Sequence, residues 1–224
     1  MDALHLAAFR KRRHWLIMRA IKSCETDARQ YRGFHVGCAV LGWDKTHGYR
    51  MFSAGNRKPE NHAKRECAER RALEKAKIAG IARVIAIVVY GPNQDDDFTR
   101  IHRSVLHPCG FCRRIASLHL DDGGPIYKDT IYVGVSTEGA LEQLTYQDIM
   151  EIHGVPTLPQ LITKRVAQDG CTVVHALSEL QSLDPWRMLD FRNTSGLDEK
   201  TLEEAWTEWL ADFEVKQPTR LDPL

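Results

Sequence analysis

The chain has 224 residues, 43% of them apolar, which is enough for one substantial core or for one core with a small appendage. Its 31 basic and 30 acidic residues leave a formal net charge of +1, so no global field recommends DNA, RNA or an anionic membrane as partner. The longest apolar run, residues 84–90, is too short to span a bilayer, and nothing near the start has a secretory signal pattern, so the expectation is a soluble, cytoplasmic protein.

Residues 4–29 carry Leu6, Phe9, Leu16, Ala20 and Ile21 at roughly helical spacing, which predicts one or two helices. The basic cluster Arg10 to His14 within them reads as a solvated face; a transit peptide and a nucleic-acid contact are its other readings. Short apolar runs over 35–43 and 49–54, around the turn-like residues 44–48, predict a hairpin, and a loop over 55–61 follows. Residues 65–79 are rich in Ala, Glu, Lys, Arg and Leu and stop at Gly80, which predicts a helix with Cys67 and Glu69 in its first turns.

The β-branched run over 83–90, bounded by Gly80 and by Gly91-Pro92, predicts a central strand buried on both faces. A polar loop through Asp95, Asp96 and Asp97 leads to a second helix over 109–120 and a strand over 130–136, an alternation that implies an α/β layer structure. After about residue 144 the texture changes: Pro156 and Pro159 interrupt it, and residues 198–213 form an acidic helical stretch. There Trp206, Trp209 and Phe213 share one face, which reads as buried rather than as a docking surface. The chain thus divides into a domain over 1–145 and a mostly helical extension over 146–224, packed on the core or binding a partner.

The chemistry sits in Cys67-Ala68-Glu69-Arg70 and Pro108-Cys109-Gly110-Phe111-Cys112-Arg113. Catalytic zinc takes three protein ligands and keeps a fourth position for water, and Cys67, Cys109 and Cys112 meet that count. A Cys-x-x-Cys turn at a helix start aims both sulfurs at one ion, and the helix N-terminus favours thiolates. Glu69, two residues past Cys67, is placed to exchange protons with that water rather than to ligate. Three thiolates on a divalent ion leave one net negative charge, which Arg70 and Arg113 can offset, although solvated helix charges are an alternative for both. A closed structural zinc site would need a fourth ligand, for which His107 is the nearest candidate. Cys24, Cys38 and Cys171 read as packing thiols in a reducing compartment.

These motifs, with the segment from Tyr31 to Val40, resemble the cytidine deaminase family, in its small three-cysteine branch that includes blasticidin S deaminase-like enzymes. The resemblance covers about residues 15–145 and implies a three-layer α/β/α sandwich with a mixed five-stranded sheet. It further implies a homo-oligomer, tetramer or dimer, Zn²⁺ as cofactor, Cys67, Cys109 and Cys112 as its ligands, Glu69 as proton shuttle and Arg70 as the charge balance. Phe34, Asn56 and Ala68 fall at its substrate positions. In the family an Asn-x-Glu pair holds the ribose; here Asn56 is followed two positions on by Lys58, and Glu60 comes two positions late, so either of these faces the sugar or a modified substituent. His107 and Phe111 replace a serine and a small residue.

The activity so implied is hydrolytic deamination of a cytosine-type amine on a free nucleoside, cytidine, deoxycytidine or an analogue, with release of ammonia. The alternatives are a related aminohydrolase for a nucleotide, modified nucleoside or nucleoside antibiotic, a nucleic-acid editor, and a non-catalytic zinc module. The first of these is motivated by Lys58 and the C-terminal extension.

Overall fold

The computed structural model describes residues 1–30, 33–58, 66–96, 101–122 and 124–154. The chain divides into Met1–Thr157 and Leu158–Leu224, and the described residues all belong to the first unit. The expected helical stretch with Trp206, Trp209 and Phe213 lies outside the described residues, as do Cys171 and Glu60.

One uninterrupted helix, α1 (Ala3–Thr26), opens the chain, with the Asp2 carboxylate accepting from the His5 amide as its N-cap. A two-residue strand β1 (Arg29–Gln30) precedes the expected hairpin, β2 (Gly37–Asp44) and β3 (Gly48–Gly55). The turn between them is fixed by Asp44, whose Oδ1 accepts from the amides of Thr46 and His47, and by Gly48, whose φ of +69° a side chain would resist. β4 (Arg57–Lys58) pairs in parallel with β1, and α2 (Ala68–Ile78), β5 (Arg83–Gly91) and the small ribbon β6 (Gln94–Asp96) and β7 (Ile101–Arg103) follow. The ribbon occupies part of what the sequence predicts as a plain polar loop. Then come α3 (Gly110–Asp122), β8 (Ile131–Ser136), β9 (Leu141–Thr145) and α4 (Tyr146–His153). The expected boundary at 145 falls between β9 and α4, which is started by a Thr145–Asp148 capping box.

The main sheet is mixed and five-stranded, in the order β3-β2-β5-β8-β9, with β5 and β8 parallel and the other neighbours antiparallel. β5 is central and buried along most of its length, which is why its sequence is a continuous apolar run. Side chains alternate across the sheet, so Ala39 and Leu41 of β2 meet Phe9, Leu16 and Ala20 of α1 on one face. Each large apolar side chain buried there contributes about 1.5–3 kcal/mol. Cys38 and Val40 point to the opposite face, where the charge of Glu69 on α2 reaches Cys38. The architecture is α/β with helices layered on the mixed sheet. Among the described residues no helix is long and apolar enough to cross a membrane.

Candidate metal centre

Two helix starts bring the cysteines together. Cys67 is the N-cap of α2 rather than part of its first turn, in extended conformation with φ −71° and ψ 151°. α2 itself is held by Arg71, whose guanidinium donates to the Gly55 carbonyl and pairs with Asp27 at 3.2 Å, at the junction of α1 and β3. Immediately before Cys67, Glu66 and Arg57 exchange backbone hydrogen bonds of 2.6 and 2.9 Å, which tie Cys67 to the end of β3 and β4.

Cys109 directly precedes α3 and Cys112 lies in its first turn. The loop before Cys109 is seated on the sheet where side chains are missing. A Cβ on Gly91 would come within 2.6 Å of Leu106, and one on Gly134 within 2.8 Å of Val105. Tyr132, fully buried in β8, donates from its hydroxyl to the Leu106 carbonyl at 2.8 Å.

The Sγ atoms of Cys67 and Cys109, and of Cys109 and Cys112, are each 3.5 Å apart, and all three lie within 4.8 Å of one another. Sulfurs on one tetrahedral zinc at ~2.3 Å stand about 3.8 Å apart, so the donor set fits that ion in both type and spacing. Without a metal the thiols of Cys67 and Cys112 resist ionisation. The hydrogen bond with Cys109 pushes Cys67 up to about 12, and the same interaction raises Cys112 well above the ordinary thiol value. Positive charge from a bound cation is what converts them to thiolates.

Glu69 sits in the first turn of α2 and is only 6% exposed. Its negative charge acts on Cys67, Cys112, Cys38, Tyr132 and Tyr146, so the carboxylate lies within electrostatic reach of the sulfur cluster and the buried tyrosines. Ala68, between Cys67 and Glu69, is fully buried, and Arg70 is buried next to them. Arg113 is half-buried and hydrogen-bonds backbone carbonyls, those of Pro108 at 2.8 Å and Gly154 at 3.1 Å. Burial lowers its pKa, and the sulfurs of Cys109 and Cys112 act in the opposite sense.

Asn56 is 1% exposed, and its side chain is engaged by backbone: Oδ1 accepts from the Val36 amide at 3.0 Å and Nδ2 donates to the Phe34 carbonyl at 2.8 Å. Phe34 is half-buried on that same segment. The backbone of Lys58 is placed by its pairing with Gln30. His107 does not turn toward the cysteines as a fourth ligand; its ring nitrogens meet Glu142 at 2.6 Å and His153 at 2.7 Å. Neither Glu142 nor His153 is marked by any sequence motif, and only the register of β9 and the end of α4 bring them to His107.

Residues 10–119 match the family model described as the cytidine and deoxycytidylate deaminase zinc-binding region. That stretch belongs to the cytidine and deoxycytidylate deaminases. Solved structures similar to the chain include a cytidine deaminase from Burkholderia pseudomallei, 26% identical, covering 61% of this chain and 94% of that one with a TM-score of 0.47. Cytidine deaminase from Mycobacterium tuberculosis is 19% identical over 65% of this chain and 97% of its own, with a TM-score of 0.43. The Mycobacterium leprae enzyme is 18% identical over 62% and 95%, with a TM-score of 0.40. No curated protein sequence matches the chain. The family match over residues 10–119 and the three-cysteine cluster support a zinc-dependent deaminase.

Proposed function

We propose that the protein hydrolyses the exocyclic amine of a cytosine-type base on a free nucleoside, giving the uracil-type carbonyl and ammonia. The observation that carries this reading is a buried carboxylate, Glu69, set two residues from one thiol of a three-thiol cluster that fits zinc. When bound, zinc lowers the pKa of a water in its fourth position toward neutrality and so supplies the nucleophile. Cys67, Cys109 and Cys112 hold the ion. Glu69 takes the proton from the attacking water as its oxygen bonds to the amine-bearing ring carbon, and passes that proton to the adjacent ring nitrogen. It then transfers the second proton of the water to the amine as the carbon–nitrogen bond breaks, so ammonia leaves and the carboxylate is regenerated. Burial of Glu69 suits this role, because a carboxyl held away from water exchanges protons with the substrate rather than with solvent.

Arg70 and Arg113 offset the negative charge of the thiolates. Lys58 stands two positions after Asn56, where the family carries a carboxylate. That lysine favours a second reading, a substrate bearing a phosphate or other acidic group. Self-association is supported by Trp15 and Met18, exposed one turn apart on α1. A panel of cytidine, deoxycytidine and cytidine monophosphate, followed by ultraviolet absorbance loss and ammonia release with zinc-loaded protein, tests the substrate. Turnover of cytidine or deoxycytidine is expected; turnover of the monophosphate alone would replace the first reading with the second.

A further inference from the structure

The last residue of α4 and the glycine that caps it are hydrogen-bonded to residues flanking the Cys109–Cys112 turn on either side in the chain. On the near side, His153 Nε2 lies 2.7 Å from His107 Nδ1, and His107 Nε2 lies 2.6 Å from Glu142 Oε2 on β9. A carboxylate only accepts, so His107 carries a proton on Nε2, while its Nδ1 and His153 Nε2 share one proton between them. On the far side, the carbonyl of the next residue, Gly154, accepts from Arg113 Nε, and Arg113 Nη1 donates to the Pro108 carbonyl. The positive φ of +64° at Gly154 belongs to a backbone turn at the end of α4 that glycine adopts without strain.

His107 and Pro108 immediately precede Cys109, and Arg113 immediately follows Cys112. The hydrogen bonds therefore close a ring around the ligand turn, from His107 through His153 and Gly154 to Arg113 and back to Pro108. The His107 side chain is 1% exposed and Tyr132 packs edge-on to it with ring centroids 6.2 Å apart, so the His107 end of the link is shielded from competing water.

We propose that His107, His153 and Arg113 are positioning residues that clamp Cys109 and Cys112 in ligand geometry, making metal retention depend on the end of α4. The inference rests on the reading of the three cysteines as zinc ligands. A site with three protein ligands has one fewer anchor than a closed structural site, so its affinity depends more on how firmly the ligands are held in advance. Loss of such supporting hydrogen bonds costs about 10–100-fold in metal affinity.

The test compares wild type, His107→Leu, His153→Leu, the double variant and His107→Gln by zinc competition with a chromophoric chelator and by the visible spectrum of the cobalt(II)-loaded proteins. Urea unfolding of the metal-free forms serves as a fold control. Each Leu variant is expected to lose 10–100-fold in zinc affinity and to shift the cobalt bands. The double variant should lose no more than the worse single one, since both cut one link, and His107→Gln, which can still donate to Glu142, should recover part of the loss. Wild-type affinity and cobalt spectrum in both Leu variants would overturn the clamp, and so would additive losses in the double variant. If His107→Leu fails to fold, His153→Leu decides alone on the same two readouts. Wild-type protein that takes up no stoichiometric zinc would instead overturn the ligand reading, and the clamp with it.

Discussion

Asn56 offers a test that separates support of the site from contact with substrate. Replacing it with alanine removes the acceptor for the Val36 amide and the donor for the Phe34 carbonyl in one step. A buried backbone group left without a partner costs about 1–3 kcal/mol. The Val36 bond is fully buried and the Phe34 bond only in part, so Asn56→Ala should destabilise the protein by about 2–4 kcal/mol in total. Asn56→Asp keeps the acceptor but loses the donor and brings a charge into a site that is 1% exposed, so it should be no better than alanine. Urea unfolding of the metal-free protein, monitored by tryptophan fluorescence, gives the stability, and turnover of the zinc-loaded protein is read alongside. An alanine variant within about 0.5 kcal/mol of wild type that had nevertheless lost turnover would refute the supporting role, since surface-like changes stay in that range.

Zinc affinity should rise with pH. Cys67 and Cys112 are protonated in the metal-free site across the neutral range, so binding releases at least two protons and affinity should gain about 100-fold per unit between pH 6.5 and 7.5. Chelator competition at the two pH values measures this, and a pH-independent affinity would contradict it. Cys109→Ala, which leaves two thiols, should release the metal under dialysis that wild type withstands, as read by metal analysis. At the β2–β3 turn, hydrogen bonds from the His47 amide, Arg50 and Thr46 lower Asp44 to about 2 from the ordinary 3.8. The folded value is the lower one, so this contribution is present above 3.8 and is lost as pH falls toward 2. Asp44→Asn should therefore flatten the acid limb of the stability profile while leaving turnover at pH 7 unchanged.

The sequence is most informative where one residue type serves one purpose. The run in β5 is apolar throughout because both faces are covered, and the cysteine spacing is legible because three thiols near one carboxylate suit little else. β9 escapes because Leu141 to Thr145 is an exposed edge segment containing Glu and Gln, held by its ladder to β8 rather than by its own pattern. Cys67 reads as helical from composition, yet its backbone is extended and α2 starts one residue later. Asn56 reads as a substrate hand, and only the approach of the segment at Phe34 and Val36, twenty or more positions away in the chain, shows that its amide also braces the backbone. His107 is likewise ambiguous in sequence, because its partners stand 35 and 46 positions downstream.

The most direct test of the central claim is the rate of ammonia release from cytidine by zinc-loaded wild type and Glu69→Gln at matched metal content. Sustained release by the wild type is expected, with a drop of about 10²–10⁴ in kcat for the variant at unchanged zinc stoichiometry. Equal rates in the two proteins would contradict the assignment of Glu69 as the proton carrier of this deaminase.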